Sequence, residues 1–397
     1  MKGRSSAAGY AQFRAIPRIA EYAADLAAIR QDFHRHPEIG FEEHRTSDKV
    51  AGLLEGWGIE VTRGIGGTGV VGVLAGTRPG RRIALRADMD ALPMDEKTNL
   101  PYASVSPGVF HGCGHDGHIA ILLGAARYLA ENRDFAGTAI FIFQPAEEGL
   151  GGARAMLRDG LFMRFPCDEI YGLHNWPHIA PGRVEVRPGV ALAGADFFDI
   201  TVAGRGGHGA QPHLTRDPLR IGGALLGELQ SIVSRNIDPI NPAVVSVTRF
   251  QSGDAYNVIP ESAKLAGTIR YFDEADRVLI EGRMRDICAG FALAHGVVID
   301  LDIRRIFSVL RNHPDRASDA LAAARSVVGE AMTGIAPLAT GSEDMADLLN
   351  EVPGAYFLLG HAGDVPLHNP GYLFDDAIIP VGSSIFARII EQSTARA

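Results

Sequence analysis

The chain has 397 residues, which at roughly 100–200 residues per domain implies two or three domains and excludes a small disulfide- or metal-stapled scaffold. Apolar residues make up 46% and charged residues 21%, so neither a disordered nor a fibrous chain fits. With 38 basic against 47 acidic residues the net charge is −9, and no basic stripe runs along the chain, which argues against nucleic acid as a partner.

Glycine holds 47 of the positions, about 12% against a usual value near 7%, so many tight turns and close backbone approaches are expected. The three cysteines, Cys113, Cys167 and Cys288, are too few and too scattered for a disulfide framework, which points to a reducing, cytoplasmic setting. The opening MKGRSSAAGYAQFRAIPRIA has no apolar core of secretory-signal length. The longest apolar runs, such as IAILLGAARYLA, fall short of the roughly 20 residues that span a bilayer. A soluble protein with no membrane partner is expected.

In chain order, apolar residues recur at three and four over residues 19–36, where Pro37 ends a first helix. A second helix is expected over 42–57, closed by Gly58. The short β-rich runs GVVGVLAG and RRIALRAD follow, and after a long loop a helix over 118–132. GTAIFIFQPAEE (137–148) and EIYGLHN (169–175) are continuous apolar runs of strand length, as strands buried on both faces are. Helices alternating with such strands predict an α/β layer with a largely parallel sheet.

From residue 193 the pattern changes. AGADFFDITVAG alternates apolar and polar residues, 217–236 is an amphipathic helix, AVVSVTRFQ and AKLAGTIRYF alternate again, 273–296 is a long helix, and VVIDLDIRRI closes the series. This β-α-β-β-α-β order over residues 193–304 predicts an inserted, ferredoxin-like second domain. The α/β pattern then resumes with a helix at 314–330, the strand GAYFLLG and a helix from 375 to about 393. The main domain is therefore expected over 18–192 and 305–397.

HGCGHDGH (111–118) packs several potential metal ligands into eight residues. In an extended segment residues two apart point to one side, so Cys113 and His115 can meet one site. The alternative, a polar helix start in which His115 and Asp116 serve as caps, needs one such residue and not five. In open parallel sheets ligands bind beyond the carboxyl ends of the strands, and three strand exits deliver ionisable groups there: Asp88 and Asp90, then Glu147 and Glu148, then His174. Adjacent glutamates are often only a solvated loop; after a buried strand and Pro145 they look like one metal ligand and one general base. His368 sits in a loop before the last helix. His208, in GRGGHGAQPH, lies in a glycine-rich loop that is either a plain turn or a close approach to a ligand; the motif lacks the ending of a phosphate loop.

RADMDALP, HGCGHDGH, QPAEEG, GLHNWP, GRGGHGAQPH, NVIPESAKLAGTIR, GSEDM and LHNPGY, in this order over nearly the whole chain, closely resemble the aminoacylase and carboxypeptidase family of dinuclear metallohydrolases. The nearest branch contains hippurate hydrolase and the indoleacetyl-amino-acid hydrolases. The resemblance implies a zinc-exopeptidase-like α/β catalytic domain, with a mixed, largely parallel sheet flanked by helices, and an inserted domain that covers the cleft and forms a homodimer or higher oligomer. It implies two divalent ions per subunit, zinc or manganese first and cobalt or nickel next, bound by Cys113, His115, Glu148, His174 and His368. It makes Glu147 the general base and His208 an oxyanion donor, often in the partner's site. Asn257 and Arg270 then receive the substrate carboxylate.

Two departures stand out. Relatives often carry an aromatic residue where Met345 follows Glu343 and Asp344, which bears on the acyl pocket. Sister branches bridge their metals with an aspartate and use a histidine where Asp88 stands, so a bridging role for the Cys113 thiolate is expected, with Asp88 and Asp90 orienting ligands from behind. The implied reaction is hydrolysis of a small N-acyl amino acid to a carboxylic acid and a free amino acid. Rival readings are a metallo-dipeptidase or carboxypeptidase of the same family, a dinuclear phosphoesterase, which the soft Cys113 disfavours, and a non-catalytic metal-binding protein, which has no use for Glu147.

Overall fold

The computed structural model describes residues 14–361 and 363–393; the first thirteen residues, on which most of the secretory-signal reading falls, lie outside it. Contacts divide the chain into two compact units. One comprises the described residues of Met1–Ala191, Arg311–Leu338 and Asp344–Ala397, the other Leu192–Leu310 and Ala339–Glu343.

The first unit is built on an eight-stranded sheet. Across it the strands run Glu60–Ile65, Gly69–Ala75, Ala136–Gln144, Arg78–Asp88, Glu169–Trp176, Gly354–Gly360, Val184–Glu185 and Thr333–Gly334. The central four are mutually parallel, from Ala136–Gln144 to Gly354–Gly360, while Glu60–Ile65 and Gly69–Ala75 add an antiparallel edge. Val, Ile, Leu and Phe fill both faces of the central strands, so their side chains are buried whichever way they point. Helix His115–Glu131 lies against strand Arg78–Asp88 and helices Ala23–Arg35 and Ile379–Ser393. That enclosure explains its nearly all-round apolar sequence, with Ile119, Ile121, Leu122, Leu123 and Leu129 fully buried. Burying each such side chain contributes about 1.5–3 kcal/mol.

Some element limits differ from the sequence pattern. Helix His115–Glu131 begins three residues before the apolar run, because Gly114 turns the chain in the left-handed region at φ +92° and Asp116 places a negative charge in the first turn. Strand Ala136–Gln144 stops before Pro145, which has no N–H to continue the ladder, so Glu147 and Glu148 stand on the loop beyond it. The first helix is two pieces that meet at Tyr22, and the amphipathic stretch 217–236 breaks at Gln230 into Pro218–Leu229 and Ser231–Asn236.

In the second unit, four strands order as Ala243–Gln251, Ser262–Tyr271, Gly194–Ala203 and Val298–Phe307, every neighbour antiparallel. Helices Pro218–Leu229 and Glu274–His295 complete the βαββαβ pattern. Its separate core contains Phe198, Ile200, Leu225, Leu265 and Met284. Asp217 caps the first of these helices, accepting from the amides of Leu219 and Arg220, with Pro218 in the first turn. Among the described residues no helix is long and apolar enough to cross a membrane.

The helix packing of the first unit can be tested at Gly124. A Cβ there would lie 2.3 Å from Ser383 Oγ and 2.8 Å from Leu26 Cδ1, and Ser383 is fixed by its hydrogen bond to the Ile121 carbonyl. Alanine gains about 1 kcal/mol in helix propensity, but overpacking costs about 1–3 kcal/mol. Gly124→Ala should therefore lower the denaturant midpoint of the first unit. An unchanged or raised midpoint contradicts this packing.

Candidate metal centre

The ionisable groups gather where the parallel strands end. Asp88 closes strand Arg78–Asp88 and Asp90 follows it, Glu147 and Glu148 follow Ala136–Gln144, and His174 lies near the end of Glu169–Trp176. Cys113 precedes helix His115–Glu131, and His115 is its first residue. The Gly112 carbonyl accepts from the His368 amide at 2.9 Å, which brings the last loop to the same place. Two non-glycine residues here are held in left-handed backbone, Ala146 at φ +54° and His368 at φ +61°. Such conformations persist only where their surroundings enforce them.

Backbone carbonyls set the tautomers of two histidines. His115 Nδ1 donates to the Asp90 carbonyl at 2.9 Å and His174 Nδ1 to the Asn175 carbonyl at 2.7 Å. Each therefore presents an Nε2 lone pair. His174 Nε2 faces Cys113 Sγ at 3.4 Å, and His368 Nε2 faces Glu148 Oε1 at 3.3 Å. The donor atoms of Cys113, His115 and His174 lie within 4.8 Å of one another, as do those of Cys113, Glu148 and His368. Cys113 belongs to both groups. A third such group joins Glu147 to His115 and Glu148. Cys113, His115, Glu147 and His174 are buried, whereas His368 is exposed.

This arrangement fits cations. His115 Nε2 and Glu148 Oε1 are buried with no hydrogen-bond partner, a costly state unless another ligand completes them. Burial disfavours charge on His115, yet the Asp88 carboxylate and the Cys113 sulfur outweigh it and raise its pKa. Contacts with Cys113 and Glu148 push His368 up to about 10. Burial and the neighbouring His118 depress His174, keeping it neutral. Burial and the Glu148 charge raise the Cys113 thiol. A sulfur, imidazole and carboxylate set suits zinc and other borderline divalent metals better than magnesium or calcium.

Behind the donors stands a layer that sequence reasoning resolved only in part. Asp90 Oδ2 accepts from the Glu148 amide at 3.0 Å, so one carboxylate contacts the segments of two donors. Asp88 Oδ1 contacts His118 Nδ1 at 2.6 Å, and Asp88 Oδ2 accepts from Arg86 Nη1 at 2.7 Å. Asp88, His115 and His118 also lie close enough to hold an ion, but the Arg86 cation and the occupied His118 ring exclude one. His118 Nε2 meets the Asn175 amide group, which reaches on to Tyr372. Arg86 also binds Gln144 and Asp344, and Asp344 accepts from the Ala153 amide. On the other flank Asp116 is held by His34 and Arg30, both buried. His118 had a signal in the sequence, since residues 115 and 118 share a helix face. Arg86, Gln144 and Asp344 stand in the motifs RADMDALP, QPAEEG and GSEDM, but no local spacing shows that the fold brings them together. Met345 is fully buried, and its methyl lies near Gly172; it packs in the core.

His208, Asn257 and Arg270 belong to the second unit. His208 pairs with Val258 across a short two-stranded ladder, and the Gly209 amide donates to the Asn257 carbonyl at 2.8 Å, so these two exposed residues are neighbours. His208 Nδ1 accepts from the Ala210 amide. Arg270 stands on strand Ser262–Tyr271, half-buried, donating to Thr268 Oγ1 and the Ile269 carbonyl. Among the described residues it makes no ion pair.

Residues 84–392 match the family described as peptidase family M20/M25/M40. Over 376 residues the chain is 41% identical to a hippurate hydrolase of Campylobacter jejuni, covering 94% of this chain and 98% of that one. Over 279 residues it is 42% identical to an N-acyl-L-amino acid amidohydrolase of Geobacillus stearothermophilus, covering 70% and 75%. It is also similar to the crystal structure of the Bacillus subtilis YXEP protein, a dinuclear metal binding peptidase from the M20 family. That similarity has a TM-score of 0.81 and 34% identity, over 94% of this chain and 98% of that one.

Cysteine substitutions test the donor geometry. Replacing a thiolate by a hydroxyl weakens a soft-metal site, so Cys113→Ser should lower metal affinity, whereas Cys167→Ser and Cys288→Ser, which belong to none of the donor groups, should not. Identical zinc titrations of all three variants would remove Cys113 from the centre.

Proposed function

The chain belongs to peptidase family M20/M25/M40, and on that premise we propose that it hydrolyses the amide bond of N-acyl amino acids, releasing a carboxylic acid and a free amino acid. The observation that carries this reading is the pair of donor groups sharing Cys113, with the buried Glu147 carboxylate beside them. We assign one divalent ion to Cys113, His115 and His174 and a second to Cys113, Glu148 and His368, with zinc or manganese preferred and cobalt or nickel as substitutes. When bound, such ions polarise the scissile carbonyl and lower the pKa of water from 15.7 toward about 7.

The chain's own residues do the rest. Glu147 takes the proton of the attacking water and returns one to the departing amine. Asp90 and the Asn175 carbonyl hold the imidazole donors in one orientation. His208 donates to the developing oxyanion, a contact whose loss typically costs about 10²–10³ in rate. Asn257 and Arg270 receive the substrate carboxylate; Arg270 has guanidinium donors to spare, since its hydrogen bonds to Thr268 and Ile269 both run through Nη1. We assign the protein to the cytoplasm, in keeping with three unpaired cysteines, and we assign it a homodimeric state in which His208 serves the partner's site.

The substrate class is tested with benzoyl-, acetyl- and indoleacetyl-amino acids beside dipeptides, each assayed with zinc, manganese, cobalt and nickel. Turnover confined to dipeptides would favour the peptidase reading. For the base, Glu147→Gln should keep two metals per subunit and lose almost all turnover, whereas Glu148→Gln should lose metal as well. Near-normal activity in Glu147→Gln with full metal content would sink the assignment.

The trans role of His208 is read by mixing two inactive variants, His208→Ala and Glu147→Gln, under conditions of subunit exchange. If His208 acts across subunits, each mixed dimer has one intact site and activity returns toward half of wild type. If it acts within its own subunit, every site lacks one group and no activity returns.

A further inference from the structure

Glu43 opens helix His44–Gly56 at the position where a side chain usually caps the first turn, yet it makes no cap. That task falls to Glu38, whose carboxylate accepts from the Arg45 and Thr46 amides at 3.1 and 2.8 Å. The Glu43 side chain turns inward instead and is fully buried. One of its oxygens accepts from the Ala146 amide at 2.8 Å and the other from the Thr68 hydroxyl.

Ala146 immediately precedes Glu147 and is one of the two non-glycine residues in left-handed backbone at the centre. Its amide is held by Glu43 and its carbonyl by the Gly152 amide at 3.0 Å. Residues 40–43 press on the same loop, since a Cβ on Gly40 would lie 2.9 Å from Ala146 Cα and 2.7 Å from Leu150 Cδ1. A left-handed alanine needs such an external hold. The direction in which Glu147 leaves the strand end follows from it.

We propose that Glu43 is a positioning residue for the hydrolytic reaction, fixing the Ala146 peptide and with it the placement of the base Glu147. The proposal rests on the reading of Glu147 given above. Burial pushes the Glu43 carboxyl up to about 7, so glutamine, neutral and of the same shape, is a close replacement that keeps the acceptor for Ala146. Aspartate is one methylene too short to reach both Thr68 and Ala146.

The test compares Glu43→Gln, Glu43→Asp and Glu38→Ala in the zinc-loaded enzyme, with kcat, KM, metal content and thermal unfolding measured for each. Misplacing a catalytic group by about 1 Å can cost about 10²-fold, so Glu43→Asp should lose at least about tenfold in kcat with KM within about twofold and two metals retained. Glu43→Gln should stay within about threefold of wild type, on the same scale. Glu38→Ala should unfold at a lower temperature through loss of its cap, with kcat unchanged. If Glu43→Asp fails to fold, Glu43→Met, which fills the space without an acceptor, carries the same expectation.

The proposal is overturned if the short or acceptor-free variant keeps wild-type kcat, if its loss only tracks lost metal or lost folded protein, or if Glu43→Gln is equally impaired. Glu147→Gln in the same assay separates the two claims. Should it turn over normally, the base assignment fails and this proposal with it; an inactive Glu147→Gln beside a fully active Glu43→Asp overturns the positioning role alone.

Discussion

A thiol, three imidazoles and several carboxylates crowd together at the end of the main sheet, mostly out of water, and the rest of the first unit is organised around that cost. Polar groups taken from water need fixed partners, and charges need opposite charges. Nearly every group behind the donors has such a partner: His115 on the Asp90 carbonyl, Asp88 on Arg86 and His118, Asp116 on His34 and Arg30. Among the buried atoms without a hydrogen-bond partner are His115 Nε2 and Glu148 Oε1, and these two belong to the donor groups. Those two atoms are the ones a metal ion would complete.

Rigidity is supplied from the backbone inward. Strands Arg78–Asp88, Ala136–Gln144 and Glu169–Trp176 are hydrogen-bonded neighbours in one sheet, so their carboxyl ends hold fixed spacings. Where the chain leaves those ends, left-handed residues bend it, and each bend is pinned: Ala146 by Glu43 and Gly152, His368 by the Gly112 carbonyl. Gly114 makes a third such turn, and a side chain there would strike the Asn175 amide at 2.5 Å. Glycine is required at that position both by φ and by space. Backbone strain of this kind concentrates where a site must hold one geometry.

The fold class could be read from periodicity, since the continuous apolar runs of the central strands and the alternating runs of the second unit differ in kind. The antiparallel edge strand Glu60–Ile65 could not, because its short, mostly polar sequence EVTRGI carries no apolar run. Within the centre, Cys113, His115, Glu147, Glu148 and His174 were legible because each sits in a short motif at a strand exit or a helix start. The groups that orient them were less so. Arg86 and Asp344 are 258 residues apart and meet only through the sheet, and Glu43 reads in sequence as an ordinary helix start. Local patterns reveal what a segment offers, and the partners of a buried charge are set by topology.

Cys113 stands in both donor groups, so two ions are proposed to share its sulfur. Cobalt(II) titration of the metal-free protein, followed by thiolate-to-metal charge-transfer absorption, addresses it directly, because the band reports only ions in contact with a cysteine. With a shared sulfur the band grows until two equivalents are bound, and it is absent from Cys113→Ser at every ratio. A band that saturates at one equivalent while a second ion still binds, or one that persists without Cys113, would contradict the shared sulfur.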